Sequence, residues 1–492
     1  MPPMPIAPPV PPETPPTGNG VALRRRTDAA RLVPVLLLGV ALLTVLLVAG
    51  LIPAGRWQGD EYLQRWVVRE WGWGFLRQRL LGTSPRPVPE LLGFGYIGLT
   101  YRLRSPLIEA VLGFSWAAAA LCVGFAVWRW RLWRGGVLVL SAFALTMQLR
   151  RPSEMFFWPL GAFPYLIGGG ALAAASLLRR MALPAPRGAR AGVAAELSLL
   201  LLAECCNEVA AAVVLFYAAL VLLLVRPAGP WRRGQLLFNA AVALLVLVGV
   251  LRGRIVPQDL ALHHGGGLFW SGLAAAGDAA GIFRRLLLLA PLPNVLPAPA
   301  APLADSRTFE IAMLLGFGLA CVRDPGEGAP ERRLALCWAA SLLGGCALSV
   351  LMSIEQFGGY CCERHASFQT LLVLLAVMVL AGCWPMRAPR RRLLPLALLL
   401  GAGLWAMMPA LRADYASMPR VLANRAANWR ALTAPGERAV FRQSPPGRLG
   451  DVDPLPPGTF TLMPGPNADL PWPAVSALHG FQKRVLTVVP DP

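Results

Sequence analysis

Lysine and histidine are almost missing from this 492-residue chain: Lys483 is the single lysine, and there are four histidines. Charged residues make up 15% of it, against about a quarter in an ordinary soluble domain. That shortage excludes a conventional soluble enzyme. Nine cysteines without any CxxC pair argue against zinc. Cys122, Cys321, Cys337, Cys346 and Cys383 lie inside apolar runs, while Cys205-Cys206 and Cys361-Cys362 form adjacent pairs. The pairs read as small apolar helix residues, with a disulfide between them open in an oxidising compartment.

What is abundant is apolar. Hydrophobic residues reach 56% and the mean hydropathy is +0.54, the composition of a polytopic helical membrane protein. The formal charge of +20 does not point to nucleic acid, because the arginines sit in short clusters between apolar runs. Their dominance over lysine is the bias of a GC-rich bacterial genome.

Residues 32–52 are long enough to span a bilayer and follow Arg24-Arg25-Arg26, which places the N-terminus in the cytoplasm. The run is too long for a signal-peptide core and reads as a retained anchor. Further runs lie at 107–128, 135–149, 160–178, 193–205, 209–225, 235–251, 308–322, 334–352, 367–384 and 393–411. The fold expected is an all-α bundle of about eleven transmembrane helices. Alternate loops then carry Arg129/Arg131/Arg134, Arg179/Arg180/Arg187/Arg190, Arg226/Arg232/Arg233, Arg323/Arg332/Arg333 and Arg387/Arg390/Arg391/Arg392. Every expected inner loop is basic, as positive-inside topology requires.

The chain divides into a disordered Pro-rich cytoplasmic tail (1–30), a transmembrane domain (31–412) with outer loops at 53–106 and 253–307, and a small extracytoplasmic C-terminal region (413–492). Residues 193–225 are too long for one helix and must break at Cys206-Asn207-Glu208. Arg284-Arg285 interrupt the second loop, which also carries His263-His264 and reads as amphipathic or re-entrant helices. In the C-terminal region, turns separate β-like runs at Ala439-Val440-Phe441 and Arg484–Val489, a small α/β or β appendage.

With this topology most of the 26 acidic residues fall on the outer side, more than orientation requires. Asp60-Glu61 open an aromatic-rich segment with Trp66, Trp71 and Trp73 that continues to Arg86 and Glu90. Adjacent carboxylates suit a divalent cation, Mg or Mn, or general-base work on a hydroxyl. They fit equally an interfacial helix with a solvated acidic N-terminus. Arg150, Arg151 and Glu154 stand beside Phe157, Trp158 and Tyr165, as a pocket wall or an aromatic girdle. Glu204 and Glu208 share a helix face around Asn207, at a depth where carboxylates are costly. Glu363, Arg364 and His365 precede the tenth run; a guanidinium there suits a phosphate, and the imidazole suits a general acid or a cap.

On these groups the chain resembles the integral-membrane glycosyltransferases of the GT-C fold, closest to a bacterial, largely uncharacterised polytopic branch. The matching residues are Asp60-Glu61 after the first run, Ser84-Pro85-Arg86-Pro87 with Glu90, Phe157-Trp158 with Gly161 and Tyr165, Asn207-Glu208, and Arg364. Trp429, Pro435-Gly436 and Asp469 to Trp472 are similar to that branch's extracytoplasmic tail. Each motif is short. The pair is Asp-Glu where two aspartates are common, and Pro159 stands where a small polar residue is usual.

The resemblance implies transfer of a sugar from a polyprenyl-phosphate donor to a polysaccharide, glycolipid or protein acceptor outside the bacterial cytoplasmic membrane. Asp60, with Glu61 beside it, is then the catalytic base or metal ligand. Arg364 and Arg151 neutralise the departing lipid phosphate. A polymerase or ligase of lipid-linked saccharide, depending on outer-loop Arg and His, and a lipid-linked saccharide transporter or flippase are the competing expectations.

Overall fold

An apolar run in a bilayer has no water to satisfy its backbone, so it must become a helix. The computed structural model describes residues 19–83, 85–150, 152–180, 189–226, 230–255, 306–323, 331–357, 363–386, 392–445, 455–463 and 470–490. In chain order the helices are α1 (Asn19–Ala49), α2 (Gly59–Trp71), α3 (Trp73–Gln78), α4 (Pro87–Leu103), α5 (Ile108–Trp130) and α6 (Trp133–Leu149). Then come α7 (Ser153–Phe156), α8 (Pro159–Ala162), α9 (Gly168–Arg180), α10 (Ala189–Cys206), α11 (Glu208–Leu220) and α12 (Pro230–Ile255). The described chain closes with α13 (Ser306–Cys321), α14 (Arg332–Phe357), α15 (Glu363–Gly382), α16 (Leu393–Thr433), three strands and α17 (Trp472–Gly480).

Among the described residues, eight helical stretches are long and apolar enough to cross a membrane, so the chain is a multi-pass membrane protein. This is fewer than the eleven runs of the sequence. Helices occupy the other three positions too, but α6 and Phe309–Cys321 are short, and α10 carries Glu204 in its last turn. The break in the long run lies at Asn207, whose extended backbone and Oδ1, accepting from Val209 N at 2.7 Å, start α11.

The Pro159–Arg180 stretch is the axle of the bundle, with 94% of its apolar window buried. Three glycines at the start of α9 let three different helices approach. A Cβ on Gly168 would meet the Cys206 Cβ at 3.2 Å, on Gly169 the Leu371 side chain at 2.9 Å, and on Gly170 the Ala119 Cα at 2.7 Å. Buried polar ties join the helices: Gln148 Nε2 donates to Thr44 Oγ1 (3.1 Å) and the Leu400 carbonyl (3.0 Å), and Trp338 Nε1 to Ser176 Oγ (2.9 Å).

The arginine clusters gather at one end. Arg134, Arg180 and Arg392, from three different loops, all lie within electrostatic reach of Cys321, as Arg323 and Arg332 do of Cys383. Arg179 pairs with Glu196 there.

At the other end α16 corrects the boundary expected at residue 412. It runs unbroken for 41 residues, about 60 Å, twice the hydrocarbon thickness. Likewise helix begins at Asn19, within the tail expected to be unstructured to residue 30, and the first outer loop contains three helices. The outer half of α16 carries the C-terminal unit. Asn428 exchanges two 2.7 Å hydrogen bonds with the main chain of Arg442, as a neighbouring strand would. This holds β1 (Arg438–Arg442) of a mixed sheet with β2 (Gly458–Thr461) and β3 (Val485–Val489), in the order β1-β3-β2. β1 pairs parallel to β3 from Arg438 opposite Val485, and β2 antiparallel.

The sheet and α17 dock on α2 through aromatic rings. Trp57 meets Tyr62 at 5.5 Å and Trp429 at 5.2 Å, Trp429 meets Phe481 at 5.5 Å, and Arg65 lies 4.4 Å above Phe481. Phe481 thus touches both the first outer segment and the end of α16. Phe481→Ala is expected to cost about 3–5 kcal/mol and to release this unit. Limited proteolysis in detergent should then cut after residue 433 while the bundle stays intact.

Candidate functional site

Gly59 opens α2, so Asp60 and Glu61 sit in its first turn about 100° apart, and the pair divides. Glu61 points inward and is fully buried. Its Oε2 accepts from Trp158 Nε1 (2.7 Å) and Gln58 N (2.9 Å), and its Oε1 from Leu160 N (3.3 Å). Asp60 is half-buried on the adjoining face, and no hydrogen bond or ion pair engages its carboxylate among the described residues.

Trp158 reaches Glu61 because Pro159 follows it: the pre-proline residue is held extended, at φ −106° and ψ 116°. The turn closes on Gly161, where a Cβ would strike the Glu154 carbonyl at 2.3 Å and the Trp158 ring at 2.4 Å. The ring's face carries Arg364, whose guanidinium carbon lies 4.7 Å from the ring centre. Glu154 Oε2 accepts from both the main chain and Nη1 of Arg364, each at 3.3 Å. Tyr165, buried below, hydrogen-bonds His365 Nε2 at 2.8 Å and also contacts Arg364.

Arg86 caps the start of α4 and closes the other side. It lies 3.5 Å from Glu208 Oε2 and 3.6 Å from Glu90 Oε1. Glu90 is gripped more tightly by Arg79, through two bonds of 2.9 and 2.8 Å. Asp60 lies within electrostatic reach of both Arg86 and Arg364. Residues from five segments therefore meet here: Asp60, Arg86 with Glu90, Glu154 with Trp158 and Tyr165, Glu208, and Arg364 with His365.

Two expected members stand apart. Glu204 is fully buried without a partner, and Asn207 serves as a helix cap. Arg151, the Glu363 side chain, Cys361-Cys362, His263-His264 and the loop 256–305 lie outside the described residues; Cys205 and Cys206 are free thiols. Sequence reasoning missed Arg79. Eleven residues along a single helix would hold it about 16 Å from Glu90; the π-turn at Arg79–Thr83 and the break before α4 bring the two together.

The Asp60-Glu61 pair does not fit a divalent cation, since three N–H donors already occupy Glu61. Among the described residues no group of three His, Cys, Asp or Glu is placed to hold a metal. The chain matches no family model, no curated protein and no solved structure.

Glu61 lies outside the membrane-spanning helices, and burial pushes its carboxyl from 4.5 up to about 8, against the lowering effect of the Trp158 and Gln58 hydrogen bonds. Between those values the unfolded chain has released the proton that the fold retains. Stability from this group is therefore complete below about pH 4.5 and is lost as pH rises through about 8. Thermal unfolding in detergent across that window should show a falling midpoint for the wild type and a flatter one for Glu61→Gln.

Proposed function

We propose that this protein is a glycosyltransferase of the GT-C type, moving a sugar from a polyprenyl-phosphate donor to a cell-envelope acceptor outside the bacterial cytoplasmic membrane. The observation that carries the reading is Asp60: a carboxylate without a hydrogen-bonding partner, flanked by two arginines at the end of the bundle opposite the arginine clusters. In this reading α6, α10 and α13 also cross, giving about eleven spans, with the N-terminus cytoplasmic and the C-terminal unit extracytoplasmic.

Asp60 takes the proton of the acceptor hydroxyl as its oxygen bonds to the anomeric carbon. The bond from that carbon to the phosphate oxygen breaks, and the phosphate leaves with the electron pair. Arg86 and Arg364 stabilise the charge that develops on it. Their glutamate partners stand at 3.3–3.6 Å, longer than the 2.8–2.9 Å of Arg79 on Glu90, so these ion pairs are the ones that would yield to a phosphate. Glu61 has no part in the chemistry; it holds Trp158, and Trp158 holds Arg364.

The test is transfer of labelled sugar from polyprenyl-phosphate donors in isolated membranes. Asp60→Asn is expected to lower the rate by about 10²-fold or more with little change in donor KM. Arg364→Ala should raise donor KM as well. A wild-type protein that transfers from no such donor, or an Asp60→Asn protein as active as wild type, would overturn the reading.

A further inference from the structure

Glu204 is the buried carboxylate that the proposed reaction does not use. It is 0% exposed, and neither of its oxygens has a hydrogen-bond partner. The other buried glutamates of the bundle are treated differently: Glu196 pairs with Arg179, Glu310 with Arg150 at 3.8 Å, and the neighbouring Glu208 with Arg86. No arginine lies within electrostatic reach of Glu204.

A bare carboxylate taken wholly out of water costs several kcal/mol, so something neutralises it. Its position indicates what. Glu204 stands in the last turn of α10, where the chain breaks before α11. The final carbonyls of a helix lack partners inside it and form the negative end of its dipole, and Asn207 N returns to only one of them, Ala203 O at 3.2 Å. Asn207 adds a second orphan: its Nδ2 is buried without a partner. The negative end of a helix dipole favours a cation beside it.

We propose that Glu204 binds one monovalent cation, an alkali ion or a proton, at the break between α10 and α11. A single charge is implied because a divalent ion would leave one charge uncompensated in a low-dielectric interior. Asn207 Nδ2 supplies the donor for a water accompanying the ion or for a remaining carboxylate lone pair. Among the described side chains, the charged and titratable groups on elements packed against α10 are Arg86, Glu90, Tyr96, Tyr101 and Arg102 at α4, Glu208 and Tyr217 of α11, Tyr165 ahead of α9, Arg180 of α9 and Arg233 of α12. Arg179 of α9 and Arg232 of α12 lie at the opposite end. The site is independent of the transferase reading, because its test reads binding and not turnover.

The experiment is thermal unfolding of the full chain in lipid nanodiscs, in choline, lithium, sodium or potassium chloride at equal ionic strength and pH 8.5. An alkali ion as occupant raises the wild-type midpoint by about 2 °C or more over choline. A proton as occupant gives no salt difference; instead, in choline, the wild type gains on Glu204→Gln as pH falls. That difference removes the contribution of Glu61, which both proteins share. Glu204→Gln loses the response and Glu208→Gln keeps it. Dicyclohexylcarbodiimide, which modifies protonated carboxyls in apolar surroundings, gives a wild-type readout by mass spectrometry. A proton-filled site is labelled at Glu204, and an alkali ion protects it. A wild type indifferent to every salt and unlabelled at all pH values overturns the proposal, as does an undiminished response in Glu204→Gln.

Discussion

The organisation of the outer end depends on one buried carboxylate. Glu61 receives three N–H donors, two from the main chain on either side of it in sequence space and one from the Trp158 indole. Each of those donors would cost about 1–3 kcal/mol if left buried and unpaired. The bonds from Trp158 and Leu160 fasten the first turn of α2 to the turn between α7 and α8, and the bond from Gln58 closes the start of α2 itself. With Glu61 pinned inward, the helical advance of about 100° per residue directs Asp60 to the neighbouring face. The indole presents its ring to Arg364, so the same carboxylate sets the position of a cation it never touches.

A second layer of packing keeps α2 from tilting away. Trp57 and Tyr62 join Trp429 and Phe481, from two parts of the chain hundreds of residues further on. The polar tips of these residues are satisfied, Trp57 Nε1 by Tyr96 Oη at 2.6 Å and Trp429 Nε1 by the Arg104 carbonyl at 2.7 Å. Arg425 adds bonds to the carbonyls of Pro53 and Gly55, at 2.8 and 2.9 Å. The long α16 therefore acts as a strut: its inner half packs against α1 in the bundle, and its outer half holds down the segment that carries Asp60.

Much of this was legible in the sequence. Every long apolar run is helical, and the break at Asn207 follows from length and capping chemistry. The β-like runs near the C-terminus are strands, and members of all four polar groups stand together, without Glu204 and Asn207. The rest turned on geometry that composition does not carry. Whether Asp60 or Glu61 faces inward depends on α2 starting at Gly59; a start one residue away would rotate both. Arg412 and Asp414 read as the end of a membrane helix, yet α16 continues past them as a helix packed on protein. Arg79 was overlooked because a π-turn and the break before α4, not a single helix, bring it to Glu90. In each case a short-range sequence rule was right about the type of structure and silent about direction.

The arginines show why the two ends of the bundle differ in kind. At one end Arg134, Arg180, Arg323, Arg332 and Arg392 converge from separate loops around two cysteines. A basic cluster of this kind is what the positive-inside rule expects of a cytoplasmic end. At the other end Arg79, Arg86, Arg364 and Arg425 each face a glutamate. Pairing of that kind is unnecessary for orientation and costs desolvation at every residue. It makes sense where cations must be kept in place without attracting every passing anion. On the proposed transferase reading, the carboxylates of Glu208 and Glu154 would be replaceable occupants: a phosphate that also buries its lipid chain would displace them, whereas a free phosphate, with no such gain, would not. Asp60, outside these pairs, would on that reading stay open to a hydroxyl beside the phosphate.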